Sequence, residues 1–100
     1  MSAAKKKINI SIFLDNAGKI AQVPVRDRTK IPVLSYLADK FEEDRIYSEK
    51  EVNEIISTWH NFGDYFMLRR LLIDYKFLER TPDGAKYWVA KKEDEKEGDI

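Results

Sequence analysis

The chain has no cysteine, a single histidine, four glycines and three prolines. Without cysteine there is no disulfide framework, no thiolate zinc site and no cysteine nucleophile. His60 alone cannot make a histidine-based metal site without carboxylates or a partner chain to complete it. No apolar run approaches the roughly 20 residues that a membrane-spanning helix needs. Lys5-Lys6-Lys7 followed by Ile8 to Leu14 has the outline of a signal peptide. Asn9 and Ser11 break that apolar stretch, however, Asp15 ends it, and no small-residue cleavage pattern follows. A cytoplasmic protein with no membrane attachment is therefore expected. No serine or carboxylate pair has a spacing that nominates a nucleophile or an acid–base dyad. Neither enzymatic activity nor a cofactor is expected.

What is present is one domain's worth of chain: 100 residues, 43% hydrophobic and 36% charged. That is enough apolar material for a small core and too much for a disordered chain. The formal net charge is zero but unevenly spread. Residues 93–100 hold Glu93, Asp94, Glu95, Glu97 and Asp99 against Lys96, a net −4. Residues 1–92 therefore carry 17 bases and 13 acids, a net +4. The expectation is a mildly basic body with an acidic tail that is a solvated, disordered end; the sharper reading is that the tail shields the basic surface and weakens non-specific nucleic-acid binding.

Three segments follow. Residues 1–26 form an N-terminal extension. Lys7 to Ile12 alternates apolar and polar as a strand does, Asp15-Asn16-Ala17-Gly18 is a turn cluster, and Lys19 to Val25 is extended, with Pro24 at its end or on an edge. This reads as a hairpin packed on the domain. A short helix ending near Leu14 is the alternative, because Ile10, Phe13 and Leu14 also fit helical spacing. Residues 27–92 form the domain proper, and 93–100 are the tail.

In the domain, a first helix is expected from Thr29 to Phe41, with the stripe Ile31, Leu34, Leu37, Ala38 and Phe41, and with Pro32 in its first turn. Arg45-Ile46-Tyr47 is short and β-prone. Ser48 and Glu51 make a capping box for a second helix, with Tyr47 and Val52 placed as a hydrophobic staple. Val52, Ile55, Ile56 and Trp59 are its buried stripe. Asp64 caps a third helix that runs to Tyr75, with the stripe Leu68, Leu71, Leu72 and Tyr75. Phe77–Arg80 and Ala85–Val89 then pair around Thr81-Pro82-Asp83-Gly84, where Pro82 suits a type I turn and Gly84 the left-handed residue after it. This order is α+β, a winged helix-turn-helix of three helices and a β-hairpin wing.

In such a fold the third helix lies in the major groove and the wing touches phosphates. The outward face of that helix carries Phe66, Arg69, Arg70 and Ile73. Arg69 and Arg70, with Tyr65, are candidates for double-stranded DNA. The plainer reading of the two arginines is surface ion pairing with Asp74 or with acids of the second helix. Arg80 and Lys86 flank the wing turn, and Lys91 and Lys92 follow it, as further phosphate contacts. Phe66 and Ile73 are apolar where a DNA reader is usually polar. They require cover by the N-terminal segment or a second subunit, or else they form a docking patch for a protein partner. His60, at the end of the second helix, is expected to act as a cation favouring the helix dipole.

The chain also resembles a bacterial winged-helix family catalogued as domain of unknown function 2087. The residues that carry the resemblance are Phe13-Leu14-Asp15 with Gly18-Lys19, Val33-Leu34-Ser35-Tyr36-Leu37-Ala38, Tyr47-Ser48-Glu49-Lys50-Glu51-Val52-Asn53, Leu68-Arg69-Arg70 with Asp74-Tyr75, and Tyr87-Trp88. The resemblance implies a bacterial module similar to transcription regulators, without catalytic residues. Some members stand alone, and others are fused behind a DNA-binding or acetyltransferase domain. This chain departs at Lys76, where glycine is common, and at Tyr65-Phe66-Met67, where smaller residues are usual. The expected function is a non-enzymatic DNA-binding module of transcription-regulator type, acting as a homodimer. The alternative is a winged-helix protein-interaction domain docking through the third helix.

Overall fold

The structure, a computed structural model, describes residues 9–90. Three helices and a hairpin follow in chain order: α1 (Asp27–Ala38), α2 (Glu49–Thr58), α3 (Tyr65–Asp74), β1 (Leu78–Arg80) and β2 (Tyr87–Val89). The strands are antiparallel, with Leu78 opposite Val89, Glu79 opposite Trp88 and Arg80 opposite Tyr87. Tyr47 adds one residue of a third strand, exchanging both backbone hydrogen bonds with Tyr87 at 2.8 Å. This is an α+β domain of winged-helix-like arrangement.

α2 begins as its sequence predicts. Ser48 accepts from the Glu51 N–H, and the Glu51 carboxylate accepts from the Ser48 N–H. A capping box of this kind contributes about 1 kcal/mol. Tyr47 and Val52 are both buried beside it. Val52 and Ile56 are fully enclosed, and Ile55 and Trp59 pack against them from the rim. α3 likewise starts at Asp64, whose side chain accepts from the Met67 N–H. Leu68 and Leu72 point straight into the core, flanked by half-buried Leu71 and Tyr75.

α1 departs from expectation at both ends. It starts at Asp27, an acid placed where the helix dipole favours one, and ends at Ala38. Pro32 therefore lies in the second turn, where it removes the bond to the Arg28 carbonyl. The buried stripe is Val33, Leu34, Leu37, Ala38 and Phe41, whereas Ile31 is exposed. Phe41 reaches the core from a turn beyond the helix, where its N–H donates to Ala38.

Among the described residues the N-terminal segment makes only a minimal hairpin, one bridge wide. Ser11–Phe13 is one turn of 3-10 helix, started by the Asn9 side chain accepting from the Ser11 N–H. Phe13 is buried and Ile12 lies in solvent. The Asp15–Gly18 turn then allows one antiparallel bridge, Leu14 to Ile20. Lys7 lies outside the described residues. Ile20 is fully buried, and its backbone is gripped by the α2–α3 turn. Its N–H donates to Trp59 at 2.8 Å and its carbonyl accepts from Asn61 at 3.0 Å. The described part of the segment, from Asn9, thus braces the helix-turn-helix through Ile20.

Asp15 fixes that brace. Its carboxylate accepts from the N–H groups of Ala17 and Lys19 and from the Asn61 amide at 2.8 Å. The Lys19 backbone N–H, then the Asn61 side chain, hold the carboxyl below its ordinary value of 3.8. A depressed value means that the ion stabilises the fold above the ordinary value, and that this contribution is lost as pH falls through the folded-state value. Chemical denaturation midpoints between pH 6 and about pH 2 are therefore expected to fall more steeply for the native chain than for Asp15→Asn.

The end of α3 holds the one departure from good local geometry near the site. Lys76 has φ 65°, in the left-handed region. Its N–H donates to Ile73, and the Phe77 N–H reaches back to Leu72, the Schellman pattern that favours glycine at that position. Lys76→Gly is expected to stabilise the domain by about 0.5–1 kcal/mol and to raise Tm by a few degrees in thermal melts. Gly84, with φ 75°, meets the same demand in the wing turn, where its N–H donates to the Thr81 carbonyl.

Candidate nucleic-acid interface

α3 and the wing meet across an open groove of about 460 Å³ whose floor includes Ile73 and Tyr87. Phe66, Arg69, Arg70 and Arg80 stand around it, with Glu49 and Asp74 as its acids. Five of the residues singled out from the sequence thus converge here: Phe66, Arg69, Arg70, Ile73 and Arg80. Tyr65 is exposed on the first turn of α3, and Lys86 is exposed on the wing. Lys91 and Lys92 lie outside the described residues.

The two adjacent arginines have different surroundings. Arg69 is largely enclosed, with 12% of its side chain exposed. Its guanidinium meets Glu49 at 3.0 Å and Asn53 at 2.6 Å, both on α2. This is the ion pair with an acid of the second helix that the plainer reading of the sequence expects. Arg70 is exposed and makes no ion pair among the described residues. Arg80, from β1, donates to the carbonyls of Thr81 and Pro82 at 3.2 and 3.4 Å, which leaves its charge unneutralised. Arg70 and Arg80 are therefore the two open cations of the groove.

Phe66 is 54% exposed, whereas Ile73 is half-buried. The guanidinium carbons of Arg69 and Arg70 lie 5.2 and 6.0 Å from the centre of the Phe66 ring. Cation–π attraction of this kind gives an exposed ring a preferred position. Trp88, on the wing, donates to Glu79 across the strand pair and serves the hairpin.

His60 differs from its expected role. It is buried, and Nε2 accepts the Asp64 N–H at 2.8 Å. Nδ1 must then carry the proton, which it donates to the Ile56 carbonyl at 2.7 Å. The ring is thus a neutral staple joining the end of α2 to the start of α3, not a cation on the dipole. Neither this staple nor the Arg69 clamp has a local sequence signature. The only available signal for the clamp is Glu49 and Asn53, one helical turn apart on α2.

The basic excess of residues 1–92 lies outside the described residues. Residues 9–90 carry twelve bases and thirteen acids, a net −1. The +4 of residues 1–92 comes from Lys5, Lys6, Lys7, Lys91 and Lys92. Among the described residues no helix is long and apolar enough to cross a membrane, and no group of side chains could hold a metal ion.

Three helices followed by an antiparallel hairpin give this domain a winged-helix-like arrangement. The chain belongs to the family described as uncharacterized protein conserved in bacteria, DUF2087, which matches residues 19–89. Comparison with curated proteins and with solved structures finds no match.

Proposed function

We propose that this domain is a non-enzymatic, bacterial, transcription-regulator-type DNA-binding module. α3 enters the major groove and the wing grips the adjoining backbone. The observation that carries this reading is the convergence of Arg70 and Arg80, from two separate elements, on one open groove without neutralising carboxylates of their own. Guanidinium groups so placed suit bidentate contact with phosphate or with a guanine edge. The net charge of the described body is too small for tight binding by one copy, so the reading includes a homodimer that doubles the phosphate contacts.

Fluorescence anisotropy with mixed-sequence duplex DNA tests this. Micromolar binding is expected at low salt, with a log–log salt slope of about −2 to −4 for two to four phosphate contacts. Deleting residues 93–100 is expected to tighten this binding, because it removes a net charge of −4.

A second reading is favoured by the 54% exposure of Phe66 in a domain of nearly zero charge. It is a winged-helix module that docks a protein partner through Phe66 and Ile73. Absence of DNA binding even at low salt selects it.

A further inference from the structure

Phe66 is the second residue of α3. In a helix-turn-helix the first turns of the recognition helix are the part that meets base edges. An aromatic ring more than half exposed there has no polar atom with which to read a donor or an acceptor. Arg69 lies against one side of the ring, and Arg69 is itself clamped by Glu49 and Asn53. The exposed part of the ring is therefore a positioned apolar surface at the tip of the helix, with the open cation of Arg70 beside it. The major groove offers one apolar group on its base edges, the C5-methyl of thymine.

We infer that Phe66 reads thymine: its ring packs on a thymine methyl in the major groove, with Arg70 on the neighbouring phosphate or guanine. This rests on the DNA-binding reading and adds the sequence class to it. Arg69 is then a positioning residue that holds the ring and touches no DNA.

The test replaces thymine with deoxyuridine, which removes the methyl and leaves the hydrogen-bonding edge unchanged. Two duplexes of the same A·T-rich sequence, about two helical turns long, are compared by anisotropy, one with thymine and one with deoxyuridine throughout. The native chain is expected to favour the thymine duplex by about fourfold per contacted thymine, equivalent to about 0.8 kcal/mol. Phe66→Asn is expected to bind both duplexes alike, and Phe66→Leu to keep part of the preference. Circular dichroism establishes that each variant is folded. Equal affinity of the native chain for both duplexes, with the expected salt slope, overturns thymine reading and leaves DNA binding standing. A preference that survives in Phe66→Asn also overturns it. Failure to bind either duplex at low salt removes the DNA reading and this inference together.

Discussion

Replacing His60 with leucine is expected to lower the stability of the domain by about 2 kcal/mol and Tm by on the order of 10 °C. Leucine fills much of the same buried volume, so the loss is polar. The Asp64 N–H loses the imidazole as its partner; Asp64 is exposed, so water replaces part of that bond and the cost is about 1 kcal/mol, the low end for a lost partner. The Ile56 carbonyl also loses the imidazole N–H but keeps the Trp59 N–H at 3.0 Å, so its loss is smaller. The edge contact of the imidazole with Phe62, ring centres 4.6 Å apart, goes as well. Urea denaturation measures the effect. A change within about 0.5 kcal/mol, the usual range for surface substitutions, would show that the ring does not staple α2 to α3.

The pair Arg70→Ala and Arg80→Ala is expected to weaken DNA binding at least tenfold, a loss of about 1.4 kcal/mol or more. The salt slope is expected to become shallower by about 2, one for each phosphate contact removed. Neither side chain is held by a carboxylate in the folded domain, so the melting temperature should hardly move. Arg69→Ala is expected to behave in the opposite way. It frees the half-exposed carboxylate of Glu49 and removes the 2.6 Å bond to Asn53, both at the α2–α3 contact. With solvent screening taken into account, stability falls by about 1–2 kcal/mol. Anisotropy and thermal melts on the same three proteins separate the two roles. A binding loss in the Arg70–Arg80 pair that simply follows a fall in Tm would remove the assignment.

The elements most legible in the sequence were those fixed by neighbours in the chain. The Ser48–Glu51 capping box, the Asp64 cap and the Pro82–Gly84 turn each involve residues within three positions, and each forms. The stripes of α2 and α3 follow from helical spacing in the same way. The start of α1 is not legible from Pro32, which suits a first turn, because Asp27 and the backbone bonds to Arg26 begin the helix earlier. The alternation from Lys7 to Ile12 matches a strand, but its described part, from Asn9, turns into 3-10 helix at Ser11. The backbone of Ile20 is taken by Trp59 and Asn61, about forty residues away in sequence. Distance in sequence also hid the site's internal structure. Periodicity places Arg69 and Arg70 on the outer face of α3, but only folding brings Glu49 and Asn53 onto one of them. His60 reads as a helix-end cation until both of its ring nitrogens are seen to be engaged.

The most direct test of the helix–wing interface is amide chemical-shift mapping of the nitrogen-15-labelled chain titrated with duplex DNA at low salt. The proposed geometry predicts that the shifts concentrate at Tyr65, Phe66, Arg70, Arg80 and Lys86, and leave Asp15, Asn61 and the α1–α2 connection unmoved. Shifts centred on Arg26 to Lys30, or none on α3 and the wing, would contradict it.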